Sequence, residues 1–294
     1  MLSLEYLAGL AEEHRGDLSV KVREFSIGSQ SFSFNTEPAI MGVINLSPDS
    51  WYRESVCLTA GQAIERGHIL KAQGAAIIDI GAESTLAHAA RIDSSGKQDK
   101  LLPVIGQLAA DGLIVSAETY QKDVARAVLE AGAKVINLTG TEDAAEIFSM
   151  AADFSAAVII CYVQGPNVRE VGNFDLENII PAMRDYFERQ IEIALKRGLD
   201  RIFIDPGLGF YYRNLEDSAV RVRHQMTTFL KSFRLRTLGF PVCHALPHAF
   251  AYFGEEVRSA EPFFAVLAAL GKTDLFRTHE VPRIKAVLDT LKVF

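Results

Sequence analysis

Eight short β-branched runs alternate with longer segments of helical period along most of the chain, and this alternation constrains the fold more than any other feature. The strand-like runs are 40–46, 76–80, 113–117, 135–138, 157–162, 201–204, 241–245 and 274–277. Between them, apolar residues recur at helical spacing. After Asp175, the residues Leu176, Ile179, Ile180, Met183, Phe187, Ile191 and Leu195 share one face, and Gly198 is suited to cap the segment. A second segment runs over 120–131 to Gly132, and a last one starts near Pro282, a residue suited to a first helical turn. Eight strand-helix units with no break in composition predict one (β/α)8 TIM barrel over 1–294. A doubly wound sheet is the alternative. Residues 18–34 alternate around Gly28 and predict an N-terminal β-hairpin closing the barrel bottom, preceded by a helical extension over 1–17.

In a barrel, reactive side chains belong at the C-terminal ends of strands. Asn45, Glu83, Glu118, Asn137, Asp205, Arg277 and His279 all fall there. Each has a structural reading taken singly, because Asn and Asp also cap helices and form turns. Seven at the same end of six different strands point to a shared site. The net charge of -7 argues against nucleic acid or an anionic membrane as the principal partner. Cys57, Cys161 and Cys243 are far apart without metal-ligand spacing, and read as reduced thiols of a cytoplasmic protein. No apolar run approaches the roughly 18 residues of a membrane helix. Glu5, Glu12 and Glu13 stand where a secretory signal would be basic and then apolar, so export is not expected.

Several blocks carry a resemblance. Residues 40–50 read IMGVINLSPDS, 77–85 IIDIGAEST, 116–119 SAET, 136–140 INLTG, 204–210 IDPGLGF and 277–281 RTHEV. In this order they are similar to the strand motifs of the dihydropteroate synthase family of pterin-binding barrels. The resemblance implies a transferase of folate biosynthesis that joins 6-hydroxymethyl-7,8-dihydropterin pyrophosphate to p-aminobenzoate and releases pyrophosphate. It implies pterin contacts from Thr85, Glu118, Asn137 and Asp205, with Glu118 replacing a family Asp. It further implies pyrophosphate contacts from Arg277 and His279, and Mg²⁺ held by Asn45. Asp49 and Ser50 would lie on a loop that closes over the reacting end, with Trp51 and Tyr52 as its aromatic surface. A homodimer is a candidate assembly.

The resemblance fails on the arylamine side. The family's seventh strand ends in a Ser-Arg-Lys run, whereas residues 241–250 read PVCHALPHAF and contain neither lysine nor arginine. His248 lies near the lost basic positions, and Arg53 and Arg91 are other candidates to fill them. The family's Arg-Pro after the second motif is Leu86 and Ala87 here, and a family Met-His-Met is Cys161, Tyr162 and Val163. Three functions therefore stay open. They are a synthase with an altered p-aminobenzoate site, a pterin or folate paralogue with another reaction such as methyl transfer, and a catalytically silent pterin-binding subunit.

Overall fold

The computed structural model describes the chain apart from residues 50, 51, 84–91, 169–177, 210–214, 216 and 294 and the side chain of Arg53. Ser50, Trp51, Thr85, Leu86, Ala87, Arg91, Asp175, Leu176 and Phe210, named above, lie outside the described residues, as does any role for the Arg53 side chain.

The chain opens with helices α1 (Leu4–Glu13) and α2 (Arg15–Leu18) and the antiparallel pair β1 (Phe25–Ile27) and β2 (Gln30–Phe32). Eight further strands follow: β3 (Ala39–Asn45), β4 (Ile77–Gly81), β5 (Val115–Thr119), β6 (Val135–Leu138), β7 (Ala157–Cys161), β8 (Ile202–Asp205), β9 (Cys243–Ala245) and β10 (Leu275–Thr278). They pair in parallel in the order β8-β7-β6-β5-β4-β3-β10-β9. A bridge between Ile204 and Val242 joins the two ends of that order. The first strand of the ring thus pairs with the last, and the architecture is the (β/α)8 barrel; a doubly wound sheet would leave its edges open.

Helices α3 (Ala60–Ala72), α4 (Ser94–Ala110), α5 (Lys122–Glu130), α6 (Ala144–Asp153), α7 (Ile179–Lys196), α8 (Ser218–Lys231), α10 (Ala260–Leu270) and α11 (Val281–Leu291) wrap the strands, and a short turn of helix, α9 (Phe250–Phe253), precedes α10. None of the described helices is long and apolar enough to cross a membrane. In α7 the expected stripe is buried from Ile179 to Ile191. Leu195, expected on the same face, is 43% exposed, because Ala194 takes the inward position three residues after Ile191.

Strand parity divides the core in two. Ile40, Ile44, Ile78, Ile80, Val115, Ala117, Ile136, Val158, Ile160, Ile202 and Ile204 join the outer cluster with the helices. Met41, Ile77, Val135, Ala157, Ile159, Phe203, Cys243 and Leu275 join an inner cluster with Ile27, Phe32 and Phe34 from the hairpin region. Phe25 and Phe34 each meet Phe203 edge-on, with ring centroids 5.2 and 5.3 Å apart. The hairpin therefore plugs the N-terminal end of the barrel, as its sequence predicted.

Its ladder is shorter than the 18–34 alternation suggested. Val22 is bonded through both its N–H and its carbonyl to the Asn35 side chain, at 2.9 and 2.8 Å, and the Arg23 N–H donates to the Gly239 carbonyl. Side chains and a neighbouring turn satisfy that backbone in place of a strand partner. Arg236 fastens the same region by donating to the Val20 carbonyl and to the buried Asp274 carboxylate.

The plug generates a stability prediction. Phe203→Ala should cost about 3–5 kcal/mol in urea denaturation, since it removes a fully buried ring and the surface that Phe25 and Phe34 cover. A loss below about 1 kcal/mol would mean that the hairpin does not depend on this ring.

Candidate active site

The inward positions that are apolar near the hairpin become polar toward the C-terminal strand ends. Asp79 and Ser116 are register partners, and Gly81 pairs with both Asn45 and Glu118, which in turn pairs with Asn137. Asp79 is fully buried. Its Oδ1 accepts from the Ser116 hydroxyl at 2.6 Å, and its Oδ2 accepts from Arg277 Nε at 2.7 Å and from the Asn137 amide at 3.2 Å. Arg277 reaches from β10 past β3 and also donates from a terminal nitrogen to Glu118 Oε2 at 2.8 Å. Burial opposes its charge, but Asp79 and Glu118 hold the guanidinium more firmly protonated than usual.

The acids answer to the same enclosure. Burial pushes the Glu118 carboxyl up to about 7 against the pull of Arg277, and pushes Asp205 up to about 6 against the Gly207 N–H and Arg277. Asp205 Oδ1 accepts from Gly207 N–H at 2.7 Å, and the Cys161 thiol points at the Asn137 carbonyl oxygen at 3.5 Å. Asn45 donates its amide N–H to Ser55 at 2.6 Å. Glu83 forms a buried ion pair with Lys97 Nζ at 2.7 Å, and the same ammonium lies 4.5 Å from the centroid of the Tyr120 ring.

On the other side, Glu261 of α10 is fully buried between two imidazoles. Its Oε1 lies 2.7 Å from His248 Nε2 and 2.9 Å from His279 Nδ1. The Tyr52 ring packs on both histidines, with centroids 5.2 and 4.6 Å away, and its hydroxyl bonds Glu280. Burial pushes the His248 imidazole below its ordinary range, so it does not reproduce the permanent charge of a lysine.

All seven strand-end residues singled out from the sequence, Asn45, Glu83, Glu118, Asn137, Asp205, Arg277 and His279, line one cleft, together with His248 and the loop after β8. Asp49 is exposed on the loop after β3 and is not among the residues that line the cleft. Thr85 lies outside the described residues. Sequence reasoning missed three buried charged groups that pair with residues lining the cleft: Asp79, Lys97 and Glu261. Asp79 alone left a signal, a carboxylate inside a run of isoleucines with the same parity as the residues facing the lumen. Lys97 and Glu261 lie on helices, where a charge ordinarily faces solvent.

Such a cleft suits a flat heterocycle rich in N–H donors at one end and an anion at the other. The sequence profile of the family described as pterin binding enzyme matches residues 41–245. The chain is 30% identical over 276 residues to the dihydropteroate synthase of Streptococcus pyogenes serotype M6, covering 88% of this chain and 98% of that protein. It is 28% identical over 269 residues to the dihydropteroate synthase of a Synechocystis species, covering 87% and 89%. In fold it is similar to the Xanthomonas albilineans dihydropteroate synthase solved with 4-aminobenzoic acid, with a TM-score of 0.76, 24% identity, and coverage of 93% of this chain and 98% of that one. With the matching profile spanning β3 to β9 and its polar strand ends gathered in one cleft, this chain belongs to the pterin-binding enzyme family.

Proposed function

We propose that this chain is a dihydropteroate synthase, condensing 6-hydroxymethyl-7,8-dihydropterin pyrophosphate with p-aminobenzoate. The observation that carries the reading is the convergence of Glu118, Asn137 and Asp205 with Arg277 and His279 in one cleft of a family barrel. The carbon–oxygen bond to pyrophosphate breaks, a carbon–nitrogen bond to the arylamine forms, and the amine loses a proton. Carboxylates at Asp205 and Glu118 accept the paired N–H donors of the pterin edge, while the Asn137 amide can donate and accept. Arg277 and His279 stabilise the charge that grows on the departing pyrophosphate. Arg277 starts paired to Asp79 and Glu118, so the polyanion must compete with two carboxylates for it. Protonation of Glu118 loosens one of those competitors.

Asn45 fits the implied Mg²⁺. Its amide N–H is taken by Ser55, leaving a carbonyl oxygen as the ligand for a hard ion whose other ligands are water and phosphate oxygens. When bound, the ion neutralises pyrophosphate charge. A cytoplasmic location belongs to the same reading, supported by three buried free cysteines. So does a homodimer, supported by the exposed stripe of Phe263, Val266 and Leu270 on α10.

A second reading, pterin binding without condensation, is favoured by one observation. Residues 241–250 bring no lysine or arginine to the cleft, and His248 is turned to Glu261. Calorimetric titration with the dihydropterin pyrophosphate, with and without Mg²⁺, followed by addition of p-aminobenzoate, separates the two. Turnover selects the synthase, binding alone selects the second reading, and absence of binding removes both.

Four outcomes follow from the geometry. Pterin affinity should rise from pH 6 toward 8, by up to about tenfold per unit below 7, as Glu118 ionises and becomes an acceptor, and Glu118→Gln should flatten that rise. The same shift has the opposite sign for the ligand-free fold. Its neutral Glu118 contributes stability at pH values below 4.5 that is lost as pH rises through about 7. Arg277→Ala should weaken the pyrophosphorylated pterin about 1.5–3 kcal/mol more than the corresponding alcohol, measured by calorimetry. Equal losses for both ligands would assign the arginine to structure alone. Finally, sulfonamides should inhibit weakly or not at all and dihydropteroate should form slowly; ordinary turnover with tight sulfonamide inhibition in a steady-state assay would contradict this.

A further inference from the structure

His248, Glu261 and His279 form a cluster that the pterin chemistry above does not require as a set. They come from three places: the loop after β9, the first turn of α10, and the end of β10. One ligand atom from each lies within 4.8 Å of the other two. Two features make the cluster more than a chance meeting of polar groups. Glu261 Oε2 is anchored by the Thr278 hydroxyl, and the His279 backbone N–H is shared between Oε2 at 3.2 Å and Oε1 at 3.3 Å, while Oε1 also lies between the two imidazoles. Both histidines line the cleft, so an ion held there would face whatever occupies it.

We propose that His248, Glu261 and His279 bind a divalent transition-metal ion of the zinc class. Two imidazole nitrogens and one carboxylate oxygen match the three protein ligands of an open zinc site, with the remaining position turned to the cleft. Magnesium is disfavoured by the nitrogen donors. At metal–ligand bonds of about 2.0–2.1 Å, tetrahedral ligand atoms lie roughly 3.3 Å apart, so the 2.7 and 2.9 Å separations need to open by about half an ångström. Thr278 and the His279 amide are the outer contacts that hold the carboxylate in place for the ion. The ion places positive charge on the wall where residues 241–250 supply no lysine or arginine. It is distinct from any Mg²⁺ at Asn45, and it does not rest on the proposed reaction.

The test uses the full chain, stripped with a chelator and titrated with Co²⁺ in the absence of any pterin, with visible absorption as the readout. The expected result is a single equivalent of Co²⁺ giving the intense bands of a four- or five-coordinate site, bleached by Zn²⁺. His248→Ala and Glu261→Gln should abolish the bands. Thr278→Val, a milder change that keeps all three ligands, should weaken Co²⁺ binding about 10–100-fold. If either ligand variant fails to fold, the wild-type titration and Thr278→Val still decide. Absence of bands in the wild-type chain would overturn the proposal and leave a hydrogen-bonded triad. Bands that survive His248→Ala, or Glu261→Gln, or that Thr278→Val leaves at full affinity, would place the ion elsewhere and overturn it equally.

Discussion

The guanidinium of Arg277, stretched across the barrel lumen to Asp79 and Glu118, is the contact on which the upper half of the barrel depends. Asp79, Glu118 and Asp205 are enclosed around this cation. Full ionisation of all three acids would leave uncompensated negative charge out of water, which is costly. Enclosure meets that cost by keeping protons on Glu118 and Asp205 into the range of about 6 to 7. A ligand bringing several N–H donors relieves the same imbalance without protons.

Below that level the barrel is made of different material. Phe203, Met41, Ile77, Val135 and Leu275 fill the lumen and meet the aromatic hairpin. The change from apolar to charged occurs within two residues along a strand, from Ile77 to Asp79 on β4 and from Leu275 to Arg277 on β10. Because the side-chain period is two, both members of each pair face the lumen, one supporting the fold and the next the chemistry. A slip of one residue in either strand would send the charged member into the helix layer, so the burial of the hairpin also fixes the register of the site.

The barrel was legible in the sequence because β-branched runs and helical stripes alternate without interruption, and the strand-end residues were legible because a parallel barrel sends every such residue to one mouth. What stayed hidden depends on contacts between distant segments. Nothing in the neighbourhood of Glu261 distinguishes it from a solvent-facing first-turn acid, and only the packing of α10 against the end of β10 turns it to His248 and His279. Lys97 is hidden for the same reason, being a helical lysine whose ammonium is drawn inward by Glu83 and Tyr120. The hairpin was overextended because Val20 and Val22 share its alternation, yet their backbone is claimed by Arg236 and Asn35.

The aromatic seal at the barrel bottom also governs traffic. With Phe25, Phe32, Phe34 and Phe203 filling one end, every molecule that reaches the polar level enters and leaves through the same mouth. On the proposed reading, a heterocycle seated against Asp205 and Asn137 would have to arrive before anything that stacks above it. The barrel is a blind shaft, closed below by its own aromatic rings and open only above.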